Sequence, residues 1–207
     1  DVISDCAATG IANIGIGWST LSDLTTGICN IAIGTSAMHQ TTTGCLNVAL
    51  GIAALGGAVT TGYGNVGIGE GALKLLTTGR ENIAIGCAAA CGQTTGCCNI
   101  SIGAIAGGVN TPSTGIRNIA MGVSALNQNV SGHCNIAVGN QASFGLTTGC
   151  FNIGLGYGAG GNGTGGRIKN INIGCCTNRT GNSEGCISGV MYTDVSDTSD
   201  CRAKRCI

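Results

Sequence analysis

Fourteen cysteines are the residues of this 207-residue chain that are best suited to chemistry. Cysteine can ligate a metal, act as a nucleophile or form disulfides. The sequence has no Cys-x-x-Cys motif and two histidines, so the pairs Cys97-Cys98 and Cys175-Cys176 lack the spacing of a zinc site. The density of cysteine in a 20.2 kDa chain instead indicates disulfides and an oxidising, extracellular compartment.

Two pairs of cysteines share one spacing. Cys29 is separated from Cys45 by the same interval in sequence as Cys134 is from Cys150. Each pair holds nearly equivalent positions in neighbouring copies of the repeat described below, so stacking the copies brings the two thiols within disulfide reach. We predict the disulfides Cys29–Cys45 and Cys134–Cys150.

The other cysteines are assigned less specific structural roles. A third local disulfide is predicted from Cys91 to either Cys97 or Cys98. A further set lies near the two ends of the chain, where it is predicted to cap the molecule or to link subunits end to end. This set comprises Cys6, Cys175, Cys176, Cys186, Cys201 and Cys206.

No combination of residues indicates an active site. The glycine-rich strings at 67–71 and 154–161 resemble phosphate loops, but neither is followed by Gly-Lys-Ser/Thr. His39 and His133 have no candidate nucleophile beside them in sequence, and the repeats lack the aspartates of calcium-binding repeats. We therefore predict no catalytic residues, no metal site and no cofactor.

Composition excludes several partners. Formal net charge is zero and charged residues make up 9% of the chain, so nucleic acid is not an expected partner. No apolar run approaches the roughly 20 residues that a membrane-spanning helix needs. Asn-x-Ser/Thr sequons make Asn129, Asn162 and Asn178 candidates for glycosylation.

An internal repeat dominates the chain. The segment TTGRENIAIG at 77–86 has near-copies throughout, and its asparagine recurs at nearly equal intervals. The ten repeat asparagines are Asn13, Asn30, Asn47, Asn65, Asn82, Asn99, Asn118, Asn135, Asn152 and Asn170. A repeat this short cannot bury its own core, so its copies must stack. Stacking would align the asparagines as an amide ladder.

Each copy alternates large and small residues after the asparagine. Ile83 and Ile85 flank Ala84, and Gly86 follows, as it does in every copy. This alternation predicts a short strand. We interpret the large residues as the core and the small residue as an outer position that another subunit covers. A second alanine-rich position, such as Ala89, is predicted to point inward from a second short strand.

These patterns predict an all-β fold, a parallel β-solenoid or β-roll of about ten 17-residue coils with two short strands per coil, stapled by disulfides. Residues 1–9 are expected to form an N-terminal cap segment and 10–179 the solenoid. Residues 180–207 are expected to form an irregular, cysteine-rich C-terminal segment. At about 4.8 Å per coil, the rod would be about 48 Å long.

The motif NIAIGxxAL with its TTG linkers resembles the repeats of trimeric autotransporter adhesin heads and of phage tail fibres. The resemblance covers about residues 10–175. It implies a left-handed β-roll in a homotrimer on a cell or virion surface.

The C-terminal segment TSDCRAKRCI at 198–207 is similar to the start of the intramolecular chaperone domain of phage fibres. In that family an autoprotease cleaves between a serine and an aspartate. The resemblance therefore implies a processing site between Ser199 and Asp200.

Three functions are consistent with the sequence. The first is a self-assembling structural subunit of an extracellular fibre or surface appendage, with adhesion as an added role. The second is the shaft of a viral tail fibre that binds a host receptor. The third is ice binding, because threonine pairs such as Thr77-Thr78 recur along the chain. The expected partner is the chain itself, as a homo-oligomer or a head-to-tail filament, with glycans or a cell-surface receptor as further partners.

Overall fold

The structure is a computed structural model that describes residues 9–108, 112–161, 165–175, 185–187 and 190–192. Its twelve strands form one sheet in chain order. They are β1 (Ile14–Ile16), β2 (Ile31–Ile33), β3 (Val48–Leu50), β4 (Val66–Ile68), β5 (Ile83–Ile85), β6 (Ile100–Ile102), β7 (Ile119–Met121), β8 (Ile136–Val138), β9 (Ile153–Leu155), β10 (Ile171–Ile173), β11 (Gly185–Ile187) and β12 (Val190–Tyr192). The described residues contain no helix.

Strands β1 to β10 pair in parallel, and equivalent residues of successive repeats stand side by side. Ile83 of β5, for example, pairs with Ile100 of β6. Ten coils therefore stack into a parallel β-solenoid whose period is that of the sequence repeat, as predicted. Each coil contributes a single three-residue strand, so the prediction of two strands per coil is wrong. Turns form the rest of each coil.

The orientation of the strand is the opposite of the predicted one. Ala84 is fully buried, whereas Ile83 and Ile85 are 38% and 37% exposed. The middle residue is buried and its neighbours are exposed or half-buried in every strand from β1 to β10. The large residues therefore line the outside of the rod, and the small residue points into the core.

A narrow interior explains why the inward residue is small. A Cβ added to Gly67 would lie 3.3 Å from the carbonyl oxygen of Ala72, and one added to Gly154 would lie 2.8 Å from that of Ala159. The opposite wall of the same coil thus approaches the strand closely. The small residue does not need a second subunit to account for its size, which corrects the earlier interpretation.

The opposite wall supplies the rest of the core. The predicted inward alanine position is buried in each described coil, as at Ala37, Ala72 and Ala89. In several coils the next residue is a fully buried leucine or methionine, such as Leu73 or Met38. The core is therefore a thin layer of alanine, leucine and asparagine.

Left-handed residues make the corners of each coil. Among the described residues, 23 that are not glycine have a positive φ, between 49° and 60°. All of them fall at three positions of the repeat, represented by Glu81, Ala88 and Ala90 in one coil. Each such residue costs about 1 kcal/mol relative to an ordinary conformation. Coil stacking must offset this strain at every corner.

The sheet continues past the tenth coil. Strand β11 pairs in parallel with β10, and β12 pairs antiparallel with β11. Both strands lie in the segment that was expected to be irregular. The antiparallel strand breaks the parallel series at this end of the sheet.

Substitutions in β5 test which side chains are inside. We expect Ala84→Val to destabilise the fold by about 1 to 3 kcal/mol, because extra methyl groups overpack a narrow core. Ile85→Val should cost less than about 1 kcal/mol, because it removes one methylene group from a side chain that is partly solvated. Urea denaturation monitored by circular dichroism measures both, and the reverse order would contradict the observed orientation.

Candidate interaction surface

The outer side of the sheet is a continuous apolar surface. Strands β1 to β10 contribute twenty large apolar side chains in two columns, one on each side of the buried small residue. The first column is Ile14, Ile31, Val48, Val66, Ile83, Ile100, Ile119, Ile136, Ile153 and Ile171. The second is Ile16, Ile33, Leu50, Ile68, Ile85, Ile102, Met121, Val138, Leu155 and Ile173. We call these twenty residues the apolar face.

The apolar face is about as large as the largest apolar patch on a typical monomer. Ten coils at about 4.8 Å and three residues at about 3.3 Å give a strip of about 48 by 10 Å, or roughly 500 Å². Exposed patches of this size often mark interaction sites. Large apolar residues also flank the face, with Trp18 77% exposed on one side and Leu46 60% exposed on the other.

An asparagine ladder inside the coil holds the strands in register. The Asn82 side chain donates from Nδ2 to Asn65 Oδ1 at 3.0 Å and to the carbonyl oxygen of Gly96 at 2.8 Å. Its Oδ1 accepts from the backbone amide of Asn99 at 3.0 Å and from Nε2 of Gln93 at 2.8 Å. Equivalent bonds join the repeat asparagines from Asn13 onward. Because the asparagine points inward, the residue after it points outward onto the apolar face.

The threonine pairs divide between the turn and the solvent. The hydroxyl of Thr77, the first of its pair, donates to the carbonyl oxygen of Thr94 in the next coil at 3.2 Å, while Thr78 is exposed. Thr25 and Thr94 make the same contact to the next coil. The exposed hydroxyls therefore form one column rather than two, which does not favour ice binding.

The nine cysteines whose side chains the structure describes form no disulfide with one another. The amide of Leu46 donates to the carbonyl oxygen of Ile28 at 3.0 Å, so Cys29 and Cys45 are diagonal neighbours on adjacent coils. With steps of about 3.8 Å along the chain and 4.8 Å between coils, their Cα atoms are about 6 Å apart, within disulfide range. Cys134 and Cys150 have the same relation.

Cys91 has different neighbours from those predicted. The pKa of its thiol is raised by burial above all, and Lys74 and Cys87 are the charged groups that act on it. Cys97 and Cys98 stack beside Arg80 and Glu81 of the preceding coil. A disulfide from Cys91 to Cys97 or Cys98 stays a prediction. Cys87 has no role in the sequence analysis, although it follows directly after the strand and turn glycine of its coil.

Several predicted residues lie outside the described ranges. These are Cys6, Cys176, Cys201, Cys206, Asn162, Asn178, Ser199 and Asp200, together with the side chain of Cys186. Asn129 is described and is 3% exposed. A glycan cannot be accommodated on its buried amide in the folded coil, so Asn129 is not a suitable glycosylation site in this structure.

Both histidines have local contacts. Nδ1 of His39 lies 3.9 Å from Oδ2 of Asp23, and Nδ1 of His133 accepts the backbone amide of Ile116 at 3.3 Å. The glycine-rich strings are part of the coil stack, since a Cβ on Gly69 would lie 2.6 Å from the carbonyl oxygen of Gly86. The described residues contain no cluster of three metal-ligating side chains.

One small cavity lies inside the solenoid at coils six and seven. It has a volume of about 10 Å³ and is lined by polar side chains that include Gln93, Ser101 and Asn129. Nδ2 of Asn129 has no hydrogen-bond partner among the described residues. A cavity of this size holds about one water molecule. It is therefore not a substrate pocket.

Compared with known proteins, the chain matches no protein-family model, no curated protein and no solved structure. Within the described part of the chain, no helix is long and apolar enough to cross a membrane.

Proposed function

We propose that this protein is a structural subunit of an extracellular fibre or surface appendage and that it self-assembles through its apolar face. The observation that carries this proposal is the exposure of isoleucine on both sides of the strand, as at Ile83 and Ile85. A column of asparagines holds these side chains at a fixed spacing along the rod. A rigid, repetitive apolar strip suits another copy of the same rod, because each coil meets an equivalent coil.

The cysteines support an extracellular setting for this subunit. Cys29 and Cys45 are diagonal neighbours, as are Cys134 and Cys150. We propose that each pair closes in an oxidising compartment and ties two adjacent coils together. Peptide mapping by mass spectrometry of the oxidised chain tests this, and mixed or absent pairing would count against it.

A lysine on the apolar face should weaken self-association without unfolding the coil. We expect Ile85→Lys to reduce the association constant by roughly 30-fold or more, because an unpaired ammonium buried at the interface costs at least about 2 kcal/mol. Sedimentation velocity over a range of concentrations, with negative-stain electron microscopy, measures the effect. An open filament would support the fibre subunit, whereas a closed oligomer would support the viral-shaft alternative.

Leu75→Lys provides the matched control. Leu75 is 40% exposed and Ile85 is 37% exposed, but Leu75 lies outside the apolar face. We expect this variant to associate like the parent chain and to have the same urea midpoint as Ile85→Lys. A parent chain that stays monomeric at high concentration, or two variants with equal effects, would overturn self-assembly through this face.

A further inference from the structure

Cys97 and Cys98 lie in a charged patch on the side of the rod, immediately before strand β6. Backbone hydrogen bonds fix their neighbours: the amide of Cys98 donates to the carbonyl oxygen of Arg80, and the amide of Arg117 donates to that of Cys97, both at 3.0 Å. Arg80 therefore stacks beside Cys97, and Glu81 beside Cys98. We call the group of Tyr63, Arg80, Glu81, Cys97, Cys98 and Arg117 the dithiol patch.

The dithiol patch concentrates charge on a surface that has little of it. Between residues 9 and 161 the chain has three basic and three acidic residues, and Arg80, Glu81 and Arg117 are half of them. The guanidinium of Arg80 lies 6.0 Å from the ring centre of Tyr63. Its pKa is raised by Tyr63 and, next, by Cys97, so the guanidinium lies within electrostatic range of the Cys97 thiol.

The two thiols of the patch have different surroundings. Sγ of Cys98 donates to Oε2 of Glu81 at 3.4 Å. Loss of water around the sulfur and, next, the Glu81 carboxylate raise the pKa of the Cys98 thiol, so this thiol holds its proton more tightly. The anionic thiolate is the nucleophile in thiol exchange. The pKa of Cys98 is raised although Arg117, which stacks beside it in the next coil, acts in the opposite direction. Cys97 stacks beside the cation Arg80 and has no carboxylate at that position.

Two other cysteines provide an internal comparison for Cys97. Cys45, Cys97 and Cys150 all precede the repeat asparagine by two residues, and all three are half-buried. Their thiols donate to the equivalent threonine carbonyl oxygen at 3.3, 3.5 and 3.7 Å. In the preceding coil, Ile28 stacks beside Cys45 and His133 beside Cys150. Cys97 stacks beside Arg80, whereas Cys150 lies between Arg167 and Lys169 of the next coil. Cys45 is therefore the comparison without a cation beside it.

Cys97 cannot form a relaxed disulfide with its neighbour. The Cα atoms of Cys97 and Cys98 are separated by one trans peptide, about 3.8 Å, whereas disulfides need about 4.4 to 6.8 Å. Cys87 lies at the far end of strand β5 from Arg80, the residue of that coil that stacks beside Cys97. A disulfide to an external thiol at Cys97 would therefore not be displaced by the adjacent cysteine.

We infer that Cys97 is a site of mixed-disulfide formation with anionic, low-molecular-weight disulfides. The Cys97 thiolate attacks one sulfur of the external disulfide, so a new S–S bond forms as the old one breaks. The released thiolate takes the electron pair, and the proton of Cys97 passes to water. Arg80 and Arg117 attract carboxylates of the reagent, which favours an anionic disulfide over a cationic one.

The test uses the freshly reduced full chain and two probes, anionic glutathione disulfide and cationic cystamine. Mass spectrometry of quenched digests follows the loss of each free thiol with time, and a Cys29–Cys45 disulfide is counted as reaction at Cys45. We expect glutathione disulfide at low ionic strength to modify Cys97 roughly tenfold faster than Cys45. Cystamine should not show this preference. At about 1 M salt the preference should largely disappear, because the screening length falls to about 3 Å.

Arg80→Gln should remove the preference of Cys97 for the anionic probe, whereas Lys74→Gln, a basic residue outside the patch, should not. Unchanged urea midpoints would show that both variants fold. Equal rates at Cys97 and Cys45, or an undiminished preference in Arg80→Gln, would overturn the inference. The rates of modification of Cys97 test this inference separately from self-assembly, because the apolar face is unchanged in both variants.

Discussion

Replacing Gly86 by alanine is expected to destabilise the solenoid by about 3 to 5 kcal/mol. The new Cβ would lie 2.7 Å from both the carbonyl carbon and the carbonyl oxygen of Gly103 in the next coil. Both atoms belong to the backbone of the next coil, directly after strand β6, so neither can move without shifting that coil. The φ of Gly86 is +134°, a conformation that alanine rarely adopts. The substitution therefore combines backbone strain with a break in the coil stack.

Gly71→Ala is the matched control for this prediction. Gly71 also has a positive φ, +64°, but an added Cβ would meet nothing within 4 Å. The equivalent position in neighbouring coils is Ala53 or Ala88, each with a similar φ. We expect this substitution to cost about 1 kcal/mol or less. Urea denaturation of both variants measures the difference, and equal losses would contradict the close approach of the glycine column.

Asn82→Asp is expected to lower stability at neutral pH by about 3 to 5 kcal/mol, although the side chains are nearly the same size. Asn82 is 1% exposed, and its Nδ2 donates to Asn65 Oδ1 and to the carbonyl oxygen of Gly96. A carboxylate would place a buried negative charge against these two acceptors. Rotating the Asn65 amide so that its Nδ2 faces the carboxylate would not restore stability. Asn65 would then lose the hydrogen bonds that Nδ2 donates to Oδ1 of Asn47 and to the carbonyl oxygen of Gly79.

This variant should also acquire a characteristic pH dependence. Burial and the two opposing oxygens raise the pKa of the introduced carboxyl in the folded state. In the unfolded chain that pKa is ordinary, about 3.9, so the variant loses stability relative to the parent as pH rises above about 4. Thermal melts at intervals of about one pH unit between about pH 3 and 7 would show this loss of stability with rising pH. Asn140→Asp, at an exposed position, is the control and should show no such slope.

The spacing of the asparagines was sufficient to predict the architecture. A short and nearly constant period, with glycine at a fixed distance after each asparagine, can only bury apolar residues by stacking. The alanine position represented by Ala89 was also predicted to be inside, and it is. Both predictions depend on the same residue type recurring at equivalent positions of the repeat, and this recurrence can be read directly from the sequence.

The orientation of the strand required the tertiary structure. Alternation shows that Ile83 and Ile85 share one face and that Asn82 and Ala84 share the other, but it does not show which face is inside. Hydrophobicity favoured the isoleucines as the core. The interior has no room for them, because the far wall of the coil lies against the small residue, as the environment of Gly67 shows. Counting the asparagine as inward would have identified the correct face.

The chemistry of the surface also depended on three-dimensional neighbours. The sequence by itself determined a stacked repeat with an asparagine ladder and a glycine column, because those features follow from one coil repeated many times. Only the tertiary structure decided that left-handed residues such as Glu81 turn the corners, since strain at these positions is offset by contacts between coils. It likewise placed Arg80 beside Cys97, which is distant in sequence, because parallel stacking brings together residues one coil apart.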